Sequence, residues 1–164
     1  MIGLVKDKEK EFSKLCKEKD LKIIVTMKDL KAIYNTGSGE IKSQDAIPSD
    51  KLEIYLSGSG EIKLEKVLPK NWEINISGSG DIALNAEGNS EEGEINLAGS
   101  GDVEVSNIST KNIEVNISGS GDVRVNASEK LDAAIAGTGD ICNMGQGKNS
   151  LSASGTGKVH TDCK

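Results

Sequence analysis

Carboxylates recur in this chain at a spacing that could carry chemistry. Glu40, Glu61, Asp81, Asp102, Asp122 and Asp140 each stand three residues after the first glycine of a recurring Gly-Ser/Thr-Gly tripeptide. Glu53, Glu73, Glu94, Glu114 and Asp132 each stand five residues before that glycine. Two chemistries use acids at this density. The Asp81, Asp102 and Asp122 column has the closely spaced oxygens that a Ca²⁺ shell takes. Alternatively, two carboxylates tuned apart in a cleft could cleave a polysaccharide by acid/base work. The second chemistry needs unlike acids beside aromatic sugar platforms. The chain offers equivalent acids in a uniform series, with one Trp and two Tyr. A polysaccharide-active enzyme is therefore the minor reading, and no catalytic residue is assigned. For the first chemistry, the sequence favours a solvated acidic stripe, because the period is not the nine-residue repeat of calcium-binding β-rolls. No resident cofactor is expected, with Ca²⁺ at the Asp column as the one alternative. Carboxylates stacked ~4.8 Å apart repel by about 1 kcal/mol in water. Lys42, Lys63 and Arg124, each two residues beyond an acid, are placed to relieve that repulsion.

Other reactive side chains are few. Cys142 and His160 each lie five residues after the first glycine of a tripeptide, so they stand at equivalent positions and could meet. An imidazole can activate a thiol, but no third orienting group is visible, and coincidence is the better reading. Cys16, Cys142 and Cys163 make an odd count, so at most one bridge forms within the chain, and the spacing leaves open whether Cys142 and Cys163 are joined. Ser57/Ser59, Ser77/Ser79, Ser118/Ser120 and Ser154/Thr156 flank the glycines as hydroxyl pairs. Such an array suits carbohydrate contact better than ice, since serine lacks the threonine methyl and acids stand nearby.

The elements that must position these groups follow from the repeat itself. The tripeptide begins at Gly37, Gly58, Gly78, Gly99, Gly119, Gly137 and Gly155, with successive starts 21, 20, 21, 20, 18 and 18 residues apart. Around each copy, apolar and polar residues alternate strictly. Trp72, Ile74, Ile76, Gly78, Gly80, Ile82 and Leu84 share one parity, and Ile113, Val115, Ile117, Gly119, Gly121, Val123 and Val125 repeat it. Period-two alternation means extended backbone with one buried face. Twenty extended residues trace about 66 Å at ~3.3 Å each, enough for one circuit of a three-sided coil. Aromatics are only 2% of the chain, so the core is thin and filled with Ile, Val and Leu.

These observations predict an all-β fold, a right-handed single-stranded parallel β-helix of about seven ~20-residue coils. The expected inward columns are Ile33, Ile54, Ile74, Ile95, Val115, Ala133, Leu151, then Leu56, Ile76, Leu97, Ile117, Ile135, Ala153. A third runs Ile41, Ile62, Ile82, Val103, Val123, Ile141, Val159. An antiparallel array of hairpins is the rival, but the apolar parity runs through both glycines without a break. Pro48, Pro69, Asn85 to Gly93 and Asn107 to Lys111 read as corners and loops, with Asn85 to Gly93 protruding. Residues 6–22 read as a short charged helix capping the first coil. Residues 1–22 are thus a cap segment and 23–164 the β-helix domain. Strands at Lys22 to Met27 and Lys31 to Asn35 would lead into the stack, and inward Asn143, Asn149 and Thr161 would end it.

Net charge −6 argues against nucleic acid, and no apolar stretch approaches the ~20 residues of a membrane span. The run Met1 to Val5 is too short for a signal peptide. The runs Ile76-Ser-Gly-Ser-Gly-Asp-Ile82 and Ile117-Ser-Gly-Ser-Gly-Asp-Val123, their sister copies, and Val25 to Ile33 before the first copy resemble the auto-transporter adhesin head (GIN) domain family over about residues 23–164. The resemblance implies a surface-displayed or extracytoplasmic, non-catalytic binding or adhesion module on a rigid solenoid. Its partner would be an extracellular ligand, carbohydrate or a host surface among the choices, at the cell surface or in the periplasm. A structural β-helix that self-associates end to end is the alternative from another class, so the chain is a candidate homo-oligomer.

Overall fold

The computed structural model describes residues 22–43, 45–47, 49–161 and 163. Among these residues every regular element is a strand, and none forms a helix that could cross a membrane. The expected cap helix at residues 6–22 lies outside the described residues except for Lys22, which is exposed.

Each signature separates two of the three faces of a coil. The first face carries the strands that precede the glycines: β1 (Ala32–Asn35), β3 (Lys51–Gly58), β5 (Asn71–Gly78) and the C-terminal parts of β7 (Gly88–Gly99), β8 (Val103–Gly119) and β9 (Val123–Gly137), closed by β11 (Lys148–Gly155). The second face carries β2 (Glu40–Ser43), β4 (Glu61–Glu65), β6 (Asp81–Asn85), the starts of β8 and β9, β10 (Ile141–Asn143) and β12 (Val159–His160). Every pairing is parallel, and the register joins like positions of successive coils. Ile33 pairs with Ile54, Ile54 with Ile74, Ile74 with Ile95, and so on to Ala133 with Leu151. Ile41 leads through Ile62, Ile82, Val103, Val123 and Ile141 to Val159 in the same way. All three expected columns are thus real. Seven signatures bound about six full turns, one fewer than the expected number of coils.

From Gly58 onward, the signature glycines are required by how closely the coils approach. Gly58 has φ +126°, and a Cβ there would lie 2.7 Å from the Gly37 carbonyl oxygen. Higher in the stack, a Cβ at Gly121 would overlap the Gly101 carbonyl oxygen outright. Backbone passes over backbone at these corners, and only glycine leaves room.

The third side corrects the loop expectation. Asn85 to Gly93 does not protrude: Gly88–Ser90 already belongs to β7 and pairs with Ile108–Thr110 of β8. The Asn107 to Lys111 stretch likewise runs inside β8, with Ile108 and Thr110 buried. The polar residues that suggested loops point inward with partners. Ser90 Oγ donates to the Pro69 carbonyl at 2.5 Å, and Trp72 Nε1 donates to Thr110 Oγ1 at 3.2 Å. Trp72 is buried, and Gly93 on the next coil vacates the space its indole fills.

The ends differ from expectation in detail. Of the two lead-in strands, only Ala32–Asn35 forms. Lys22 to Met27 has no regular structure, because no strand among the described residues lies beside it. Asn35 closes the first coil by donating to the Gly39 carbonyl and accepting from Gly37 N–H. At the far end, buried Asn143 accepts from Ala127 N–H and Gly145 N–H and donates to Asn149 Oδ1. Thr161, expected inward, is exposed instead.

Candidate binding faces

The Asp column on the second face is part of the scaffold. Asp81 Oδ1 accepts the backbone N–H of Asp102, Asp102 Oδ1 that of Asp122, Asp122 Oδ1 that of Asp140, and Asp140 Oδ1 that of Lys158, each at 2.9 Å. In the first coils the same job falls to backbone: Glu61 N–H donates to Gly39 O and Asp81 N–H to Gly60 O. From Asp81 onward the short aspartate reaches one coil up and satisfies an N–H that the corner would otherwise leave without a strand partner. This commits one oxygen of each carboxylate. Among the described residues no three His, Cys, Asp or Glu side chains converge in a group that could hold a metal ion.

Charge along the column is offset locally. Lys42 pairs with Glu40 at 2.6 Å and Lys63 with Glu61 at 2.5 Å, as their spacing suggested. The Lys63 hydrogen bond, reinforced by the Glu40 carboxyl one coil below, holds the Glu61 carboxyl below its ordinary range. Arg124 departs from expectation. It reaches back to Glu104 at 3.5 Å and leaves Asp122 to its backbone partner. Glu61, Lys63, Glu104 and Arg124 border a groove of about 690 Å³ along the second face.

The thiol and imidazole do align, Cys142 opposite His160 in register, but they do not form a nucleophile pair. Cys142 is bridged to Cys163 with Cα atoms 6.0 Å apart, and His160 Nε2 lies 3.3 Å from Asp140 Oδ2. The bridge clips the terminal strand β12 to the coil beneath it.

The first face carries a feature the sequence reading missed. Asn75, Asn96 and Asn116 stack into an amide column, Asn96 Nδ2 donating to Asn75 Oδ1 at 3.2 Å and Asn116 Nδ2 to Asn96 Oδ1 at 3.1 Å. Each also donates to the glutamate two residues earlier, Glu73, Glu94 or Glu114. The second acid column is thereby tied down by its own strand. Toward the first coil the amides give way to Tyr55 and Tyr34, whose rings stack with centroids 4.7 Å apart. Beside this column runs a shallow groove of about 670 Å³, lined by Tyr55, Asn75, Asn96, Asn116, Ser77 and Ser118. The hydroxyl pairs expected outward are outward: Ser57, Ser59, Ser77, Ser79, Ser118, Ser120, Ser154 and Thr156 are all exposed. The signal for the amide column was present as Asn at one outward position in three consecutive repeats.

Residues 5–147 match the family described as putative auto-transporter adhesin, head GIN domain. A solved structure described as a putative adhesin from Bacteroides fragilis is 28% identical, with TM-score 0.71, covering 80% of this chain and 60% of that one. One described as a putative lipid binding protein from Parabacteroides distasonis is 31% identical, with TM-score 0.74, covering 79% of this chain and 52% of that one. A putative adhesin from the same organism is 26% identical, with TM-score 0.74, covering 80% and 55%. The chain thus spans between half and two thirds of the length of these structures. No curated protein matches the sequence.

Proposed function

Because this chain belongs to the auto-transporter adhesin head (GIN) domain family, we propose that it is a non-catalytic, extracytoplasmic binding module whose first face contacts an extracellular ligand. One observation carries the reading: the acids that could have done chemistry are bound into the scaffold, while the first face keeps a regular, open surface. Catalytic carboxylates must be free and tuned apart. Here Asp81, Asp102 and Asp122 spend an oxygen each on the next coil, and Glu73, Glu94 and Glu114 accept from neighbouring amides. The amide column is likewise largely satisfied by itself, so the groove beside it offers small side chains, exposed hydroxyls and the edge of the tyrosine pair. A polymer laid along the solenoid axis would meet the same contacts once per coil, every ~4.8 Å. That suits a repeating ligand such as a glycan chain on a host or neighbouring cell. The Cys142–Cys163 bridge suits an oxidising compartment and supports export.

The test is a glycan-array and whole-cell binding assay with the intact chain and two variants, at exposed Ser118 and at half-buried Ala83. Ser118→Arg on the first face abolishes binding, and Ala83→Arg on the second face leaves it within twofold. Equal loss in both variants, or turnover of uronate-rich polysaccharides by the intact chain, overturns the proposal.

A further inference from the structure

The two ends of the solenoid carry complementary halves of one strand pairing. At the C-terminal end, β11 pairs among the described residues with β9 alone, and all eight of its residues are exposed. Its outer edge presents a row of backbone N–H and C=O groups at strand spacing. Its inward positions, Asn149, Leu151 and Ala153, sit over Leu131, Ala133 and Ile135 of the coil beneath. Leu151 is 43% exposed there, whereas Ile54 and Ile74 in the same column are fully buried. A further strand is what buried those residues, and it is what Leu151 lacks among the described residues.

At the other end, Lys22 to Met27 is a strand by its sequence and not by its structure. Ile23, Ile24, Val25 and Met27 are 47%, 79%, 63% and 42% exposed, with no regular backbone pairing. Ile23, Val25 and Met27 share one parity. An extended segment would therefore set three apolar side chains on one face, matching the three inward positions of β11.

We propose that Lys22 to Met27 of one copy adds as an extra strand to the free edge of β11 in a second copy, joining molecules head to tail. The contact is heterologous, so each chain offers one donor and one acceptor, and association continues beyond the dimer. Main-chain hydrogen bonds supply the attachment, while burial of Leu151 and Ala153 under Ile23, Val25 and Met27 sets the register. The contact area is a single short strand, which places it in the weak, transient class.

Sedimentation of the intact chain from low to high micromolar concentration tests this, with Val25→Asp disabling the donor and Leu151→Asp the acceptor. Both sites are exposed, and circular dichroism confirms that each variant folds. The intact chain is expected to gain average mass with concentration past that of a dimer. Each variant alone stays at the mass of one chain. An equimolar mixture of the two recovers dimers and nothing larger, because only one donor and one acceptor remain intact. Amide exchange at β11 should slow with concentration in the intact chain, which reads the same contact without any substitution. A single-chain mass at every concentration, association by either variant alone, or protection of Lys22 to Met27 that is independent of concentration overturns the proposal. The last outcome would mean that the segment covers its own first coil.

Discussion

Asp102 shows how a charged, exposed side chain can belong to the backbone. Its Oδ1 takes the Asp122 N–H while its own N–H is taken by Asp81. Asp102→Ala removes the acceptor and leaves a corner N–H to solvent, at a cost of about 1 kcal/mol. Asp102→Asn keeps an acceptor oxygen and should recover most of that loss, whereas loss of charge repulsion alone would stabilise both variants. Chemical denaturation of the three proteins separates the two accounts. The sequence placed Asp102 on the outward parity, and the structure agrees. It could not reveal the carboxylate's partner, because nothing in a linear pattern shows that the turn at Gly121, one coil on, strands the N–H of Asp122. Arg124 illustrates the same limit. Its spacing from Asp122 suggested a pair along the strand, but the nearer acid in space is Glu104, one coil away.

Strands fared better than the segments between them. Two faces were readable because Ile, Val and Leu recur at alternate positions around each glycine pair. The third face was not, since its inward residues include Ser90 and Thr110, and polar residues in a short run look like a loop. Only the folded chain shows that Pro69 and Trp72 meet them. Lys22 to Met27 failed in the opposite sense, having the composition of a strand without a neighbour to pair with among the described residues. The terminal strand β12 is short, two residues, and the Cys142–Cys163 bridge holds it down. A link closing a loop of this size is worth about 3 kcal/mol in the chain-entropy view. Cys163→Ser should therefore free the amides of β12 and β10 to faster hydrogen exchange, while β3 and β5, at the other end of the stack, stay protected. Uniform loss of protection across all coils would refute a local role for the bridge.

The whole molecule is stabilised coil by coil, since each layer touches only the layers above and below it. Deleting residues 61–80 joins Gly60 to Asp81, where Glu61 stands in the full chain, and brings Leu52, Ile54 and Leu56 into register with Gly93, Ile95 and Leu97. The shortened protein should fold, β-rich and cooperative, with a reduced melting temperature because Trp72 is gone. Deleting residues 61–70 alone removes half a circuit and sets the apolar columns against the wrong side, so that protein should not fold. Circular dichroism and thermal melts of the pair distinguish a layered stack from a globule that tolerates neither cut.

The glycine corners carry that logic further. At each of them from Gly58 upward a carbonyl fills the place of a missing Cβ, so every storey above the first is keyed to the one beneath by the same fitting. A gene that gains or loses one whole storey changes the height of the tower by about 4.8 Å and leaves the remaining joints as they were. Reach can therefore be adjusted by duplication, without redesigning any single joint.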